Sequence, residues 1–231
     1  MDPPPLIPLS GASYDLPSRI PVMILENCSL FPHCLLPLNI FEPKYRSMLE
    51  VSLATHRMFC IGTLRSGPRP DAEPDPENDA ASQAASLSVY RTSTAGVVRA
   101  CVRQPDGASR LVLQGLQRIR LEELRYDDAF ATATPVPFFD AGGNAEEALR
   151  LSHQVRMAAA GIAGRLPKGS DHLSLFLQRL QDPSALADVV AFHFIPDAHT
   201  RQPLLAMADV GKRLQLLLAM LSAQGPEGVI V

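Results

Sequence analysis

No stretch of this 231-residue chain approaches the roughly 20 apolar residues that a membrane-spanning helix needs, so no membrane partner is expected. The N-terminus reads Met-Asp-Pro-Pro-Pro and lacks the basic segment, apolar core and small-residue cleavage site of a secretory signal. Cysteine is scarce: Cys28, Cys34, Cys60 and Cys101 form no disulfide-scaffold pattern. These absences predict a reduced, cytoplasmic protein, in which the Asn27-Cys28-Ser29 sequon has no role. Basic excess is missing too. Lys and Arg number 21 against 24 Asp and Glu, for a net charge of −3, and no basic stripe offers a field for a phosphate backbone. Nucleic acid is therefore excluded as an expected partner. What remains is ordinary globular composition, 46% apolar and 19% charged. The length suits one large or two small domains with a core that needs no covalent staple.

Several enzyme signatures are also missing. A phosphate loop requires GxxxxGK(S/T) between a strand and a helix. The nearest string, residues 164–170, splits Lys168 from Ser170 with Gly169 and follows a helical stretch. Neither a G-x-S-x-G elbow nor an H-E-x-x-H pair occurs. Cys28, His33 and Cys34 carry metal-capable atoms, but no second pair accompanies them as a zinc site requires. Buried apolar cysteine is the better reading. A hydrolase acting through Cys34 and His33 is a remote alternative, because it needs a depressed thiol pKa that no neighbour supplies. His193, between Phe192 and Phe194, reads as a packed histidine. No catalytic residue, cofactor or metal ligand is assigned.

Along the chain, residues 1–18 hold five prolines and read as a loose arm. Residues 19–25 form an apolar run bounded by turn signals, as a buried strand does. Pro32 and Pro37 make residues 30–38 a kinked, extended segment at a sheet edge or barrel rim. Pro43 opens a helix carrying Tyr45, Met48, Leu49 and Leu53 at helical spacing. Residues 59–64 read as a strand. Residues 66–86 hold four prolines, five acids and no aliphatic side chain larger than Ala, too little apolar surface to offset ordering, and read as a disordered acidic loop. Strands are expected over 89–92, 95–102, 110–114, 117–124 and, as a final edge strand, 130–136, with a turn at 104–107. Beyond Gly142-Gly143 the period becomes helical. Ala148, Leu151, Val155, Ala158, Ile162 and Leu166 form one stripe, capped by Asn144 and stopped at 167–170. A second helix carries Leu173, Phe176, Leu177 and Leu180, with Ser170 or Asp171 as its cap. A third starts at Asp182-Pro183 and carries Leu186, Val189, Val190 and Phe194. A short turn of helix covers 202–207, and a last helix from Val210 ends near Gly225. The expected organisation is an arm over 1–18, a β domain over 19–140 and a helical bundle over 141–231.

Three segments carry a resemblance. The first holds Pro21, Leu25, Leu30, Phe31, Pro32, Leu36, Pro37, Leu38, Phe41, Glu42, Tyr45, Arg46 and Met48. The second, residues 111–124, holds Gly115 and Arg118. The third holds Pro183, Leu186, Ala187, Asp188, Gln202, Leu204, Leu205, Asp209, Val210, Arg213 and Leu214. In this order they resemble the Lon protease N-terminal (LON substrate-binding) domain family over nearly the whole chain. The long acidic loop and His33-Cys34 depart from the family pattern. The resemblance implies an α+β fold, a PUA-like β-barrel followed by a helical bundle, as a stand-alone relative without the ATPase and peptidase parts. It implies a non-catalytic protein that binds unfolded or extended polypeptide. The alternative is an adaptor or regulator docking on a separate AAA+ protease. Candidate peptide-binding residues are Phe31, Pro32, Leu35, Phe41, Glu42, Tyr45 and Arg46. The competing reading makes Glu42 and Arg46 a structural pair pinning the first helix to the barrel, and gives Arg118 the same structural part, since a desolvated charge needs a partner.

Overall fold

The computed structural model describes residues 14–65, 88–126, 129–141, 143–164 and 171–223. The expected loop at 66–86, the helix stop at 167–170, the Ser170 cap, Leu166 and the end near Gly225 lie outside them, as does most of the N-terminal arm.

Among the described residues there are six strands: β1 (Ile20–Leu25), β2 (Leu35–Ile40), β3 (Met58–Thr63), β4 (Thr92–Arg103), β5 (Ser109–Arg125) and β6 (Ala131–Pro137). They pair in the order β2-β5-β4-β3-β1-β6, and β6 returns to pair with the far half of β5. The β1–β3 pair is parallel and the rest antiparallel. Two findings differ from the sequence expectation. The strands expected at 110–114 and 117–124 are one 17-residue strand, β5. Ala95 pairs with Gln117 and Gly96 with Gly115, so Leu116 is an extra residue, a bulge rather than a break. Nor is β6 an edge, since it pairs with β1 at residues 131–133 and with β5 at 132–137. Pro135 and Pro137 fall beyond the reach of β1, where a missing N–H costs no second ladder. Of the strand expected at 89–92, Thr92 opens β4 and the rest is reduced to one bridge, Val89 to Leu64.

Successive strand residues point to opposite faces, and this sheet is apolar on both. Ile20, Val22, Cys60, Ala95, Ile119, Leu121, Ala131 and Ala133 form a core of mostly small side chains on one face. Met23, Phe59, Ile61, Val98, Leu111 and Leu113 join Leu30, Ile40, Tyr45, Met48 and Leu49 on the other. The Leu116 bulge explains how one strand serves both. An extra residue reverses the alternation, sending Leu111 and Leu113 to one core and Ile119 and Leu121 to the other.

Helix α1 (Pro43–Ala54) has Pro in its first turn and buries Tyr45, Met48, Leu49 and Ser52, the i, i+3, i+4, i+7 face. The Tyr45 hydroxyl donates to the Ile24 carbonyl (2.6 Å), tying the helix to β1. The helical half comprises α2 (Ala145–Ala163), α3 (Asp171–Arg179), α4 (Pro183–Phe194), α5 (Ala198–Ala206) and α6 (Val210–Ala223). Asn144 caps α2, accepting from the Glu146 and Glu147 N–H groups, and Asp182 caps α4, accepting from Ser184. In place of the short turn expected at 202–207, α5 spans nine residues and is capped by Asp197, which accepts from the Thr200 N–H. All residues from Ala185 to Ala191 are buried, as expected of a helix packed on every side. Phe31 and Cys34 leave the sheet side altogether and complete the core of the helical half.

Candidate functional site

β2 pairs with β5 along Leu35–Ile40 and, among the described residues, with no other strand. Its outer edge therefore presents main-chain donors and acceptors, less the one donor Pro37 lacks. The alternation of β2 buries Ile40 and leaves Leu35, Pro37 and Asn39 exposed. Opposite them across β5 and β4 lie two rows, Pro37–Val112–Ala100 and Asn39–Arg110–Val102. These residues line a shallow groove of about 560 Å³, with Leu38 and Leu111 at its base. Leu35 is 52% exposed and Val102 60% exposed. Phe41, 64% exposed, follows directly on β2. Unpaired strand edge and exposed apolar side chains thus share one surface.

The seven candidates divide on this frame. Leu35 and Phe41 are exposed, Arg46 is exposed and Glu42 half-buried. Phe31, Pro32 and Tyr45 are buried, so their side chains hold the fold together rather than offer a surface. Glu42 and Arg46 do not pair. The Glu42 carboxylate meets Lys44 (3.2 Å), and Arg46 touches Glu42 only through its own N–H, donated to the Glu42 carbonyl (2.9 Å). One helical turn of spacing was compatible with a pair, but Glu42 sits at the N-cap with extended backbone. Ala100, Val102, Arg110 and Val112 were not singled out by sequence reasoning. Pro37 inside a strand was the signal that this edge lies open.

Arg118 does have the structural partner expected of it. Its guanidinium grips Asp188 with both Nη atoms, Nη1 at 2.9 Å, while Nε donates to the Leu205 carbonyl (3.0 Å). Arg213, fully buried, donates to Asp188 (3.4 Å), to Ser184 Oγ (3.0 Å), to the Met207 carbonyl and to Asp140. Two arginines and two aspartates thus neutralise one another where β5 meets α4 and α6. Burial pushes the Asp140 carboxyl up. The Arg213 and Arg118 guanidiniums and the Ser184 hydroxyl outweigh that and hold it below its usual range.

The Cys34 thiol is enclosed, donating weakly to the Asp188 carbonyl (3.9 Å), and burial raises its pKa well above the ordinary value. That is the opposite of an activated nucleophile. Burial likewise lowers the pKa of His33. Among the described residues no three His, Cys, Asp or Glu side chains gather as metal ligands, and no described helix is long and apolar enough to cross a membrane.

A model of the ATP-dependent protease La (LON) substrate-binding domain matches residues 19–223. The Lon protease of Dictyoglomus thermophilum is 25% identical over 203 residues, covering 88% of this chain and 24% of that protein. The Lon protease of Escherichia coli K12 is 24% identical over 213 residues, covering 89% of this chain and 25% of that protein. The chain spans about a quarter of the length of these relatives. The N-terminal domain of the Mycobacterium avium complex Lon protease has a similar structure, with a TM-score of 0.68 at 18% identity over 90% of this chain and 100% of that one. A Lon N-terminal domain protein from Xanthomonas campestris gives 0.59 at 18% identity, over 87% and 97%. At such identity the likeness shows the fold.

Proposed function

This chain belongs to the ATP-dependent protease La (LON) substrate-binding domain family, and from that premise we propose that it binds extended polypeptide segments along β2 and the outer face of β5 and β4. The observation that carries the reading is the coincidence of the β2 edge, unpaired among the described residues, with exposed Leu35, Val102 and Phe41. A peptide in extended form can pair its backbone with the edge and set alternate side chains on the Pro37–Val112–Ala100 and Asn39–Arg110–Val102 rows. The apolar Pro37–Val112–Ala100 row, with Val102 beside it, favours unfolded segments, whose hydrophobic side chains are available, over folded surfaces. The groove is shallow and Pro37 removes one donor, so binding is expected to be weak and tolerant of sequence.

Hydrogen exchange of the protein with and without a denatured client such as reduced casein tests this. Protection along 35–40, strongest at the edge and reduced by Leu35→Ser with Val102→Asp, is the expected result. Unchanged exchange along β2 at high micromolar client would remove the proposal. Docking on a separate AAA+ protease would then be the reading to pursue.

A further inference from the structure

The β4–β5 hairpin has a second side. Val102 and Arg110 face the groove just described, while Cys101, Arg103 and Ser109 face α1 across a separate cleft of about 290 Å³. Leu49, Leu53 and the half-buried Cys101 form its apolar lining, and Arg46, Arg57 and Arg103 its polar lining. Among the described residues three guanidiniums there face one carboxylate, Glu50, which is engaged by Arg103. The whole chain, by contrast, carries a net negative charge. Like charges gathered in one cleft repel unless an anion joins them.

Their placement is specific. The Arg46 guanidinium lies where a side chain at position 107 would be: a Cβ on Gly107, whose φ is +82°, would meet Arg46 Nη2 at 2.3 Å. Among the described residues no hydrogen-bond or ion-pair partner occupies that guanidinium. Arg57 stands at φ 58°, in the left-handed region. Its N–H donates to the Ser52 carbonyl (2.7 Å), and its carbonyl accepts from the Val98 N–H (2.8 Å). The side chain lines the cleft, and among the described residues only its Nη2 is engaged, at 3.3 Å from the Val98 carbonyl. Free guanidinium N–H groups in fork geometry match an oxyanion bidentately.

We propose that this cleft binds carboxylates of an acidic peptide segment, with Arg46 and Arg57 as the anion-binding residues. The apolar lining of Leu49, Leu53 and Cys101 accommodates the methylene stem of a Glu side chain. Phosphate is the poorer fit, because the Gly107 and Arg57 main-chain N–H groups are already spent on Gln104 and Ser52 rather than left to cradle it. The proposal is independent of the apolar groove, since it uses the opposite side of the hairpin.

The test is fluorescence anisotropy of the whole chain with a labelled hexaglutamate peptide, and hexaglutamine as the neutral counterpart. Hexaglutamate is expected to bind, to weaken with added salt, and to slow alkylation of Cys101 as followed by mass spectrometry. Arg46→Gln, an exposed position that leaves the core untouched, and the double variant with Arg57→Gln should each weaken it, the double variant by about tenfold or more. Leu35→Ser with Val102→Ser, which changes no charge, should leave hexaglutamate binding unchanged. Absence of hexaglutamate binding would overturn the proposal, as would equal binding of hexaglutamine or undiminished binding by Arg46→Gln. Displacement of the peptide by inorganic phosphate at concentrations near the peptide's own Kd would overturn the assignment to a carboxylate.

Discussion

A Cβ placed on Gly115 would lie 2.0 Å from the carbonyl oxygen of Phe31. The turn at residues 31–34 is laid directly onto β5. The His33 N–H donates to the Gly115 carbonyl (3.0 Å) and the Gly115 N–H to the Cys34 carbonyl (2.9 Å). This contact delivers Phe31 and Cys34 to the helical core, so one glycine joins the two halves.

Gly115→Ala is accordingly expected to destabilise the protein by about 3 kcal/mol, at the upper end of ordinary overpacking, because the clash is with backbone held by two hydrogen bonds. Urea unfolding would show the midpoint falling with an unchanged slope. A midpoint indistinguishable from the parent would mean that the turn does not rest on Gly115 in solution.

Asp188→Asn removes the charge that both Arg118 and Arg213 address. Breaking a buried pair from one side strands the other charge, at a cost of about 3–5 kcal/mol. Thermal unfolding should show one of the largest losses of any single polar substitution here. A change of a few tenths of a kcal/mol would mean that water reaches the network.

Acid should loosen the same junction through Asp140. Its folded-state pKa lies below the ordinary carboxyl value. The stability it contributes is therefore complete above the unfolded value of about 3.9 and is lost as pH falls through the lower, folded value. Asp140→Asn should be less stable than the parent at neutral pH, and the two Tm curves should converge below about pH 4. Parallel curves across that range would contradict the assignment.

The thiols should separate by burial. Cys34 is raised well above its ordinary pKa and Cys60 to about 12, both chiefly by desolvation. At mildly alkaline pH both are expected to resist iodoacetamide until the protein unfolds, whereas half-buried Cys101 reacts in the native state. Rapid native labelling of Cys34 would revive a nucleophilic role for it.

The Asp182 cap offers a milder case. Asp182→Ala leaves the Ser184 N–H without its side-chain acceptor at 3.0 Å and should cost about 1 kcal/mol. Denaturant titration resolves a change of that size, and a neutral result would show the cap to be replaced by water.

Much of the local structure was legible in the chain. Pro43, Asn144 and Asp182 mark helix starts because cap and first-turn preferences act over a few neighbouring residues. The stripe that begins at Ala148, Leu151 and Val155 follows from the same short-range geometry, whereas the helix over 183–194 is buried on every side. The open edge was written in Pro37, and the importance of Gly115 and Arg118 showed through family resemblance. The candidate site was legible only in part. Leu35 and Phe41 face outward, but Phe31, Pro32 and Tyr45 are equally apolar and lie buried, because an apolar residue reads alike in a core and on a binding surface.

The sequence alone determined which segments extend, which coil into helices and where most of them begin, since those preferences are settled within a turn or a pleat. Tertiary structure decided what no neighbouring residue encodes. It made β5 continuous through the Leu116 bulge, paired β6 on both sides, gave Arg118 the carboxylate of Asp188 in α4 and set Arg46 beside Gly107 rather than Glu42. Each of these depends on which distant segment arrives, and that is fixed by the packing of two apolar sheet faces and the neutralisation of charge between them.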